Sequence, residues 1–438
     1  MKSKAGLLGL IPIIYFAVSG GPYGLEEIVS SVGPFYTLLL ILIVPLIWTV
    51  PEYMIVSELS SNYPVQGGFY RWVQLGMGKF WGFMEGWWKI LYTLIDLSLY
   101  PILFTTYLKI LFPDLTFLSM YLIQLFMIWF CVVINILGIR AVSKILTVFK
   151  FFIIILFFVF VFLGAKYVSF DFSPIFENSS NMSFNNLAFG LSLVFWNYIG
   201  LDGGSTVLGE IDNPSKNFYK GLLLTIPIIV LMYFFPILVG ASIHTDWDSW
   251  RFGEYSYIAE TMHMPILAIF LAIGGMVMAW GLFNSLILTS TRILSTMSED
   301  KWLPEIFSET HKTYHTPYKT IIFAGIIFSI LVLIGFHKLV VFDVFLFMLA
   351  MFLQLVALVV LRKDNKDAYN NKDTFKIPFG LTGLFLFVGL GFLVICFMSF
   401  IFVYESVANH DYYSIIISLL LVFSGIPIYY FLKSRIRD

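Results

Sequence analysis

Apolar residues in this chain come in long runs, without the alternation of a half-buried strand or the stripe of a surface helix. Twelve runs stand out, at 7–33, 35–59, 80–111, 116–138, 143–165, 187–210, 219–243, 264–297, 320–336, 339–361, 381–404 and 412–432. Their lengths cluster near the ~20 residues that carry a helix across hydrocarbon. The pattern predicts an all-α, polytopic membrane protein with about twelve transmembrane helices. Two of the runs are broken. Ser19, Gly20, Gly21, Pro22 and Gly24 interrupt the first, just before Glu26 and Glu27, and the stretch from Asn197 through Tyr198, Gly200 and Asp202 to Gly204 interrupts the sixth. Lipid offers peptide groups no partner, so unwound backbone at mid-depth belongs where it is buried in protein or faces a watery cavity. The breaks therefore predict a site.

The two breaks lie five spans apart. Five is odd, so spans 1–5 and spans 6–10 enter the membrane from opposite sides, as in an inverted-topology repeat with its site between two discontinuous helices. This divides the chain into a first repeat at 1–165, a second at 187–361, and two further spans with a tail at 381–438. Glycine clusters also let helices pack closely, but that alternative explains neither the matching positions of the breaks nor the acids beside them.

Composition agrees with this reading: 59% of residues are hydrophobic, 19% aromatic and 12% charged, with a mean hydropathy of +0.88. A soluble globular domain is excluded, and a net charge of -1 gives no sign of a nucleic-acid partner. The 26 Lys and Arg residues are placed unevenly. All but Lys89, Lys109, Lys166, Arg251 and Lys338 fall in the termini and alternate loops of one side. Under the positive-inside rule both termini are then cytoplasmic, in an integral protein of the plasma membrane. The start, MKSKAGLLGL, has the basic-then-apolar order of a secretory signal, but no small-residue cleavage site follows, so it is expected to stay as the first helix. Cys131 and Cys396 lie inside apolar runs and read as packed thiols. Sequons at Asn178 and Asn181 fall in a predicted outer loop.

Carboxylates inside spans cost ~2.5–3.5 kcal/mol at mid-depth and point to function. The candidates are Glu26, Glu27, Glu52, Glu58, Glu85, Asp96 and Asp202, against Lys89 as the one clearly buried base. Glu85 and Lys89 are four residues apart, in the order that suits mutual neutralisation on a helix. Glu58, at a helix end, reads as solvated. Asp96 lies mid-span in LYTLIDLSLYP with no base one turn away, so it needs a partner from elsewhere, either a hydroxyl, a cationic substrate or a proton. Asp202 can face the cavity or cap the half-helix that follows, since Asp is a favoured N-cap.

The half-helix amino termini present unpaired N–H groups and a positive dipole end, which suits a carboxylate. The site thus offers both signs: backbone near Ser19 to Gly21 for a carboxylate, and Glu27, Asp96 and Asp202 for ammonium groups. Phe195, Trp196 and Tyr198 can supply apolar or cation-π walls. For a driving ion, Lys150 in ILTVFKFF either anchors the span at the cytoplasmic face or points inward and exchanges a proton, because burial lowers a lysine's pKa. Ser285, Thr289 and Ser290 offer hydroxyls to sodium, or simply bond their own helix backbone.

The runs VSGGPYGLEEIVSSVGP, PLIWTVPEYMIVSELSSNYPVQGGFYRWV, FWGFMEGWWKILYTLIDLSLYP, FWNYIGLDGGSTVLGEIDNPSKNF and TSTRILSTMSEDKWLPEIF with HTPYKTII resemble, in order, the amino acid, polyamine and organocation transporters. Among these the polyamine and L-type amino acid branch is most similar. The resemblance covers about spans 1–10 and implies the LeuT-type 5+5 inverted repeat, with alternating access around broken helices 1 and 6. By it, Ser19, Gly20 and Gly21, with Gly24 in the same break, match the segment that holds a substrate carboxylate. Asp96 falls near the third-span substrate contact, and Trp196, Tyr198 and Asp202 match the sixth-span break. Glu85 and Glu210 take gating positions, and Lys150 matches a fifth-span lysine that stands in for sodium in some members, which implies protons over sodium as the coupling ion.

The expected function is secondary transport of a cationic amine, a polyamine such as putrescine or spermidine, or else an amino acid, by proton symport or exchange. The excess of cavity-side acids favours the polyamine. A neutral amino acid permease and a transporter-like sensor that binds without cycling are the alternatives. No enzyme is expected. His244, His263, His311, His315, His337 and His410 all fall in loops or near span ends with no HExxH motif, and no cofactor or metal is implied.

Overall fold

The first helix stops where its residues stop supporting one. α1 (Leu7–Val18) ends at the extended Ser19, and Gly21 follows with φ +112°, a conformation that glycine alone enters without steric cost. Helix resumes as α2 (Glu26–Val44), whose first turn holds Glu26 and Glu27, the signs a helix amino terminus favours. At Gly33 (φ +79°) and Pro34 the axis turns, separating this short leading helix from the second span. That span continues through a π-helical turn, Pro45–Thr49, into α3 (Val50–Asn62).

The structure, a computed structural model, describes residues 5–168, 183–333, 339–364, 374–408, 410 and 412–436. The Asn178 and Asn181 sequons lie outside the described residues, as do Lys2, Lys4, Lys338, Lys366, Lys372 and Arg437. After α3 come α4 (Gly68–Met77), α5 (Lys79–Leu111), α6 (Phe117–Leu137), α7 (Ile139–Gly164) and α8 (Phe184–Trp196). Residues 197–200 are unwound, and a 3-10 helix, Leu201–Glu210, follows. The chain continues with α9 (Pro214–Ile243), α10 (Glu254–Thr261), α11 (Pro265–Glu299), α12 (Tyr318–Leu331), α13 (Leu339–Asp364), α14 (Gly380–Ala408) and α15 (Tyr412–Ile436).

Among the described residues nine helices are long and apolar enough to cross a membrane, and α1 and α12 are shorter apolar helices. The fold is almost wholly helical there, its β-pairing an isolated parallel bridge between Ala5 and Ile211. Large apolar side chains cover the periphery, including Phe158, Phe162, Leu393 and Phe423, whereas buried carboxylates and hydroxyls gather inside. That inversion of the usual soluble arrangement is what a lipid surround demands. It also moves two residues from where the sequence put them. Cys131 is packed and accepts the Trp280 indole N–H at 3.0 Å, but Cys396 is exposed on the periphery of α14. Glu58 is not solvated: it is fully buried, accepts the Ile377 amide at 2.6 Å and faces Arg362 at 3.6 Å, because the segment before α14 folds over the end of α3.

The second break sits against the first. A Cβ on Gly200, which has φ +108°, would lie 2.6 Å from the Ala17 carbonyl oxygen, so only hydrogen at that position lets the unwound stretch after α8 lie against the last turn of α1. α5 and α11 pack along each other beside them, and α13 packs on α5.

Candidate functional site

Glu85, Lys89, Tyr92 and Asp96 follow a four-three-four spacing, which puts them on one face of α5. Asp343, Phe347 and Gln354 are spaced likewise on α13. The two faces meet with the helices antiparallel. At one end Gln354 donates to Glu85 at 2.9 Å and to Asp202 at 2.6 Å. One step along, the Phe347 ring lies 5.5 Å from that of Tyr92, and Lys89 places its ammonium 3.9 Å from the Phe347 centroid. At the far end Asp343 comes within electrostatic reach of Asp96.

Lys89 makes no direct ion-pair contact with Glu85, the partner one turn away, although its charge reaches that carboxylate. Its Nζ meets Asp202 Oδ2 at 2.7 Å, with both side chains buried, and the rings of Phe69 and Tyr92 flank it at 4.9 and 5.4 Å. Glu52 is buried beside the same pair, within electrostatic reach of Asp202 and Lys89. The N-cap of the 3-10 helix is Gly200, and no side chain caps it. Asp202 therefore does not cap that helix; its Oδ2 ties the second break to α5 through an ion pair, while its Oδ1 has no hydrogen-bond partner among the described residues.

Asp96 is 1% exposed. Its Oδ1 accepts Tyr100 Oη at 2.9 Å and Trp196 Nε1 at 3.3 Å, and the two rings stack at 6.3 Å with 15° between their planes. Trp196 is the last helical residue before the second break, so that break delivers the indole to the acid. Tyr198 turns the other way, donating to the Ile41 carbonyl at 2.9 Å, and its ring lies 5.2 Å from Tyr233. Tyr233 in turn donates to Asn197 at 2.8 Å. These phenols supply partners for backbone carbonyls that unwinding and packing leave without helical ones.

At the first break the Ser19, Gly21 and Gly24 amides are in use, whereas the Gly20 amide has no acceptor among the described residues. Gly21 donates to Ser19 Oγ at 3.2 Å and Gly24 to Glu26 Oε2 at 2.7 Å. Gly20 is pressed against Met278, whose Cγ would lie 2.1 Å from a Cβ there. Glu26, fully buried, also accepts Tyr107 Oη and the Gly253 amide, each at 3.4 Å, while Glu27 is partly exposed.

Polar contacts tie the helices together on either side of the two breaks. At the end carrying Ala5, Arg292 Nε pairs with Glu210 at 3.0 Å and Arg71 with Asp300 at 2.6 Å. Ala5 exchanges backbone hydrogen bonds of 2.9 Å with Glu210 and Asp212. Gln66 accepts the Gly209 amide at 3.0 Å, and a polar recess of about 240 Å³ lies below, lined in part by Gln66, Glu210, Arg292 and Glu299. At the other end the bonds from Glu26 join the first break to α5 and to the loop before α10. There Tyr255 donates to Pro22 at 3.4 Å and Tyr23 to Leu271 at 2.6 Å. At the start of α10, outside the spans, burial raises the Glu254 carboxyl above its ordinary range, and the neighbouring His244, 2.7 Å away, opposes the shift.

Lys150 is buried on α7 with its ammonium 4.6 Å from the Phe151 ring, and it forms no ion pair among the described residues. Ile153, one turn on, is the residue that a Cβ on Gly21 would strike at 2.8 Å. Of the hydroxyls considered for sodium, Thr289 and Ser290 donate to carbonyls of their own helix at 3.2 and 3.4 Å, while Ser285 donates to Ile13 on α1 at 3.0 Å.

Sequence reasoning missed Asp343, Phe347 and Gln354. Asp343 lies five residues into its span and reads as an interfacial charge. The spacing it shares with Phe347 and Gln354 is the signal that places all three on one face.

Comparison with known proteins agrees with this architecture. The amino acid permease family model matches residues 9–426. The chain is 31% identical over 385 residues to a polyamine transporter of Arabidopsis thaliana, covering 87% of this chain and 77% of that protein. It is 29% identical to a polyamine transporter of Oryza sativa subsp. japonica, over 87% and 72% of the two chains. It is 24% identical to the serine/threonine exchanger SteT of Bacillus subtilis, over 99% and 98%. With a family match across nearly its whole length and a membrane-spanning helical fold, the chain belongs to the amino acid permease family and is an integral membrane transporter, not an enzyme.

Proposed function

We propose that the protein is a secondary active transporter that moves a polyamine by alternating access around its two helix breaks, coupled to protons or by exchange. The observation that carries this reading is Asp96: a buried carboxylate at the second break, held by a phenol and an indole, with no cation paired to it among the described residues. A positively charged amine supplies the missing counter-charge and gains the Trp196 and Tyr100 rings as walls.

The first break favours an amine lacking a carboxylate. A substrate carboxylate seated there competes with Ser19 and Glu26 for the Gly21 and Gly24 amides. Similarity to the plant polyamine transporters points the same way. In this reading Ser19, Gly20, Gly21, Gly24, Glu27, Trp196, Tyr198 and Asp202 line or frame the site, Glu85 and Glu210 gate it, and Lys150 carries the coupling proton in preference to sodium. The frame is a LeuT-type 5+5 inverted repeat, 1–165 and 187–361, with two further spans at 381–438. About twelve crossings put both termini in the cytoplasm at the plasma membrane, so the Arg292–Glu210 pair closes the cytoplasmic end.

A second reading, amino acid exchange, is favoured by the likeness to SteT along 99% of the chain. Purified protein in liposomes separates the two. Uptake of labelled putrescine or spermidine that serine and threonine do not displace supports the polyamine. Amino-acid uptake with no competition by either polyamine overturns it.

A further inference from the structure

Asp343 lies outside the site described so far and is poorly compensated. Its side chain is 0% exposed, and neither carboxylate oxygen has a hydrogen-bond partner among the described residues, a condition it shares with Glu52. Its location follows from the antiparallel meeting of α5 and α13. Phe347 faces Tyr92; moving four residues back along α13 reaches Asp343, and four forward along α5 reaches Asp96. Both steps rise about 6 Å in the same direction. The two carboxylates therefore sit on facing helices at one level, and each is within electrostatic reach of the other.

Two buried acids at one level repel each other unless a positive charge or a proton lies between them. Lys89 is the nearest base, but its ammonium lies one step away, within 2.7 Å of Asp202. Lys89 also displays the chemistry this interior accepts: an alkylammonium against carboxylate oxygens and aromatic faces. The Asp96–Asp343 level repeats those parts, with Tyr92, Tyr100 and Trp196 as the rings, but holds no ammonium among the described residues.

We propose that Asp96 and Asp343 form a two-carboxylate seat for one primary ammonium of a linear amine, and that Asp343 is the residue that selects amines over amino acids. The inference rests on the amine-transport reading above and adds a binding residue on α13. Asp96, with both donors on Oδ1, keeps Oδ2 for the ammonium, and Asp343 offers two oxygens. A neutral amino acid brings a carboxylate along with its ammonium and meets a second negative charge here. A diamine brings only positive ends.

The test is equilibrium binding of radiolabelled putrescine to the purified full-length protein in nanodiscs. Asp343→Asn keeps shape and removes charge, and it is expected to weaken putrescine binding about tenfold or more, as loss of a charged hydrogen bond does. Asp343→Glu is expected to retain most of the affinity. Putrescine affinity in Asp343→Asn equal to wild type overturns the role of Asp343 while leaving amine transport intact. Wild-type protein that binds neither putrescine nor spermidine overturns the transport reading, and this inference with it. A measurement on unaltered protein guards against misfolding of the variants. Modification of Asp343 by dicyclohexylcarbodiimide, located by peptide mass spectrometry, is expected to fall severalfold with putrescine present, and equal labelling with and without it counts against the seat.

Discussion

Lys89 and Asp202 join the third span to the second helix break through a buried ion pair of 2.7 Å. The pair holds a broken helix against an intact one, and the carboxylates of Glu52 and Glu85 lie beside it. Removing one partner leaves the others uncompensated. Lys89→Met is therefore expected to destabilise the protein by about 3–5 kcal/mol, the usual cost of stranding a buried charge. The double variant Lys89→Met with Asp202→Asn is expected to recover part of that loss. Thermal unfolding in detergent measures both, and equal unfolding temperatures for wild type and Lys89→Met count against the ion pair as a fastening of the break.

Asp96→Asn is expected to reduce uptake of cationic amines by about tenfold or more and to affect neutral substrates much less. Trp196→Phe keeps a ring but deletes the indole donor, so a smaller loss with the same selectivity is expected. Proteoliposome uptake with labelled putrescine and labelled serine reads both. Equal rates for wild type and Asp96→Asn remove Asp96 from the site.

At the other carboxylate end, Glu210→Gln weakens the clasp on Arg292, which is 2% exposed and has no other ion-pair partner among the described residues. The expected outcome is a shift toward the state open at that end. A reporter such as Thr206→Cys, at a position that is buried in this structure, then reacts severalfold faster with a water-soluble maleimide. An unchanged rate assigns closure to Arg71, Asp300 and the Ala5 backbone bonds instead.

For coupling, Lys150→Ala is expected to abolish the response of uptake to an imposed proton gradient, because it deletes the one buried base of α7. Uptake that still follows the gradient assigns the proton to another group.

Much of this was legible because it is local. Gly20, Gly21 and Pro22 cannot extend a lipid-buried helix, and Asp96 stands out as the only charge in its stretch of span. What was not legible depends on neighbours from distant spans. The i, i+4 rule offered Glu85 to Lys89, but the unwound segment brings Asp202 closer. The amides of the first break looked available, yet Ser19 and Glu26 curl back onto them once Gly21 and Gly24 take positive φ. Asp343 was hidden by its place near the start of a run, where a charge normally meets water; only the packing of α13 on α5 shows that it meets Asp96.

The contact between Gly200 and the Ala17 carbonyl changes what the two breaks can do. The unwound stretch after α8 lies against the last turn of α1 at this glycine, where a larger side chain would meet backbone. The sequence interrupts two helices, yet they meet at a point with room for a hydrogen only, and Gly200→Ala would force them apart there.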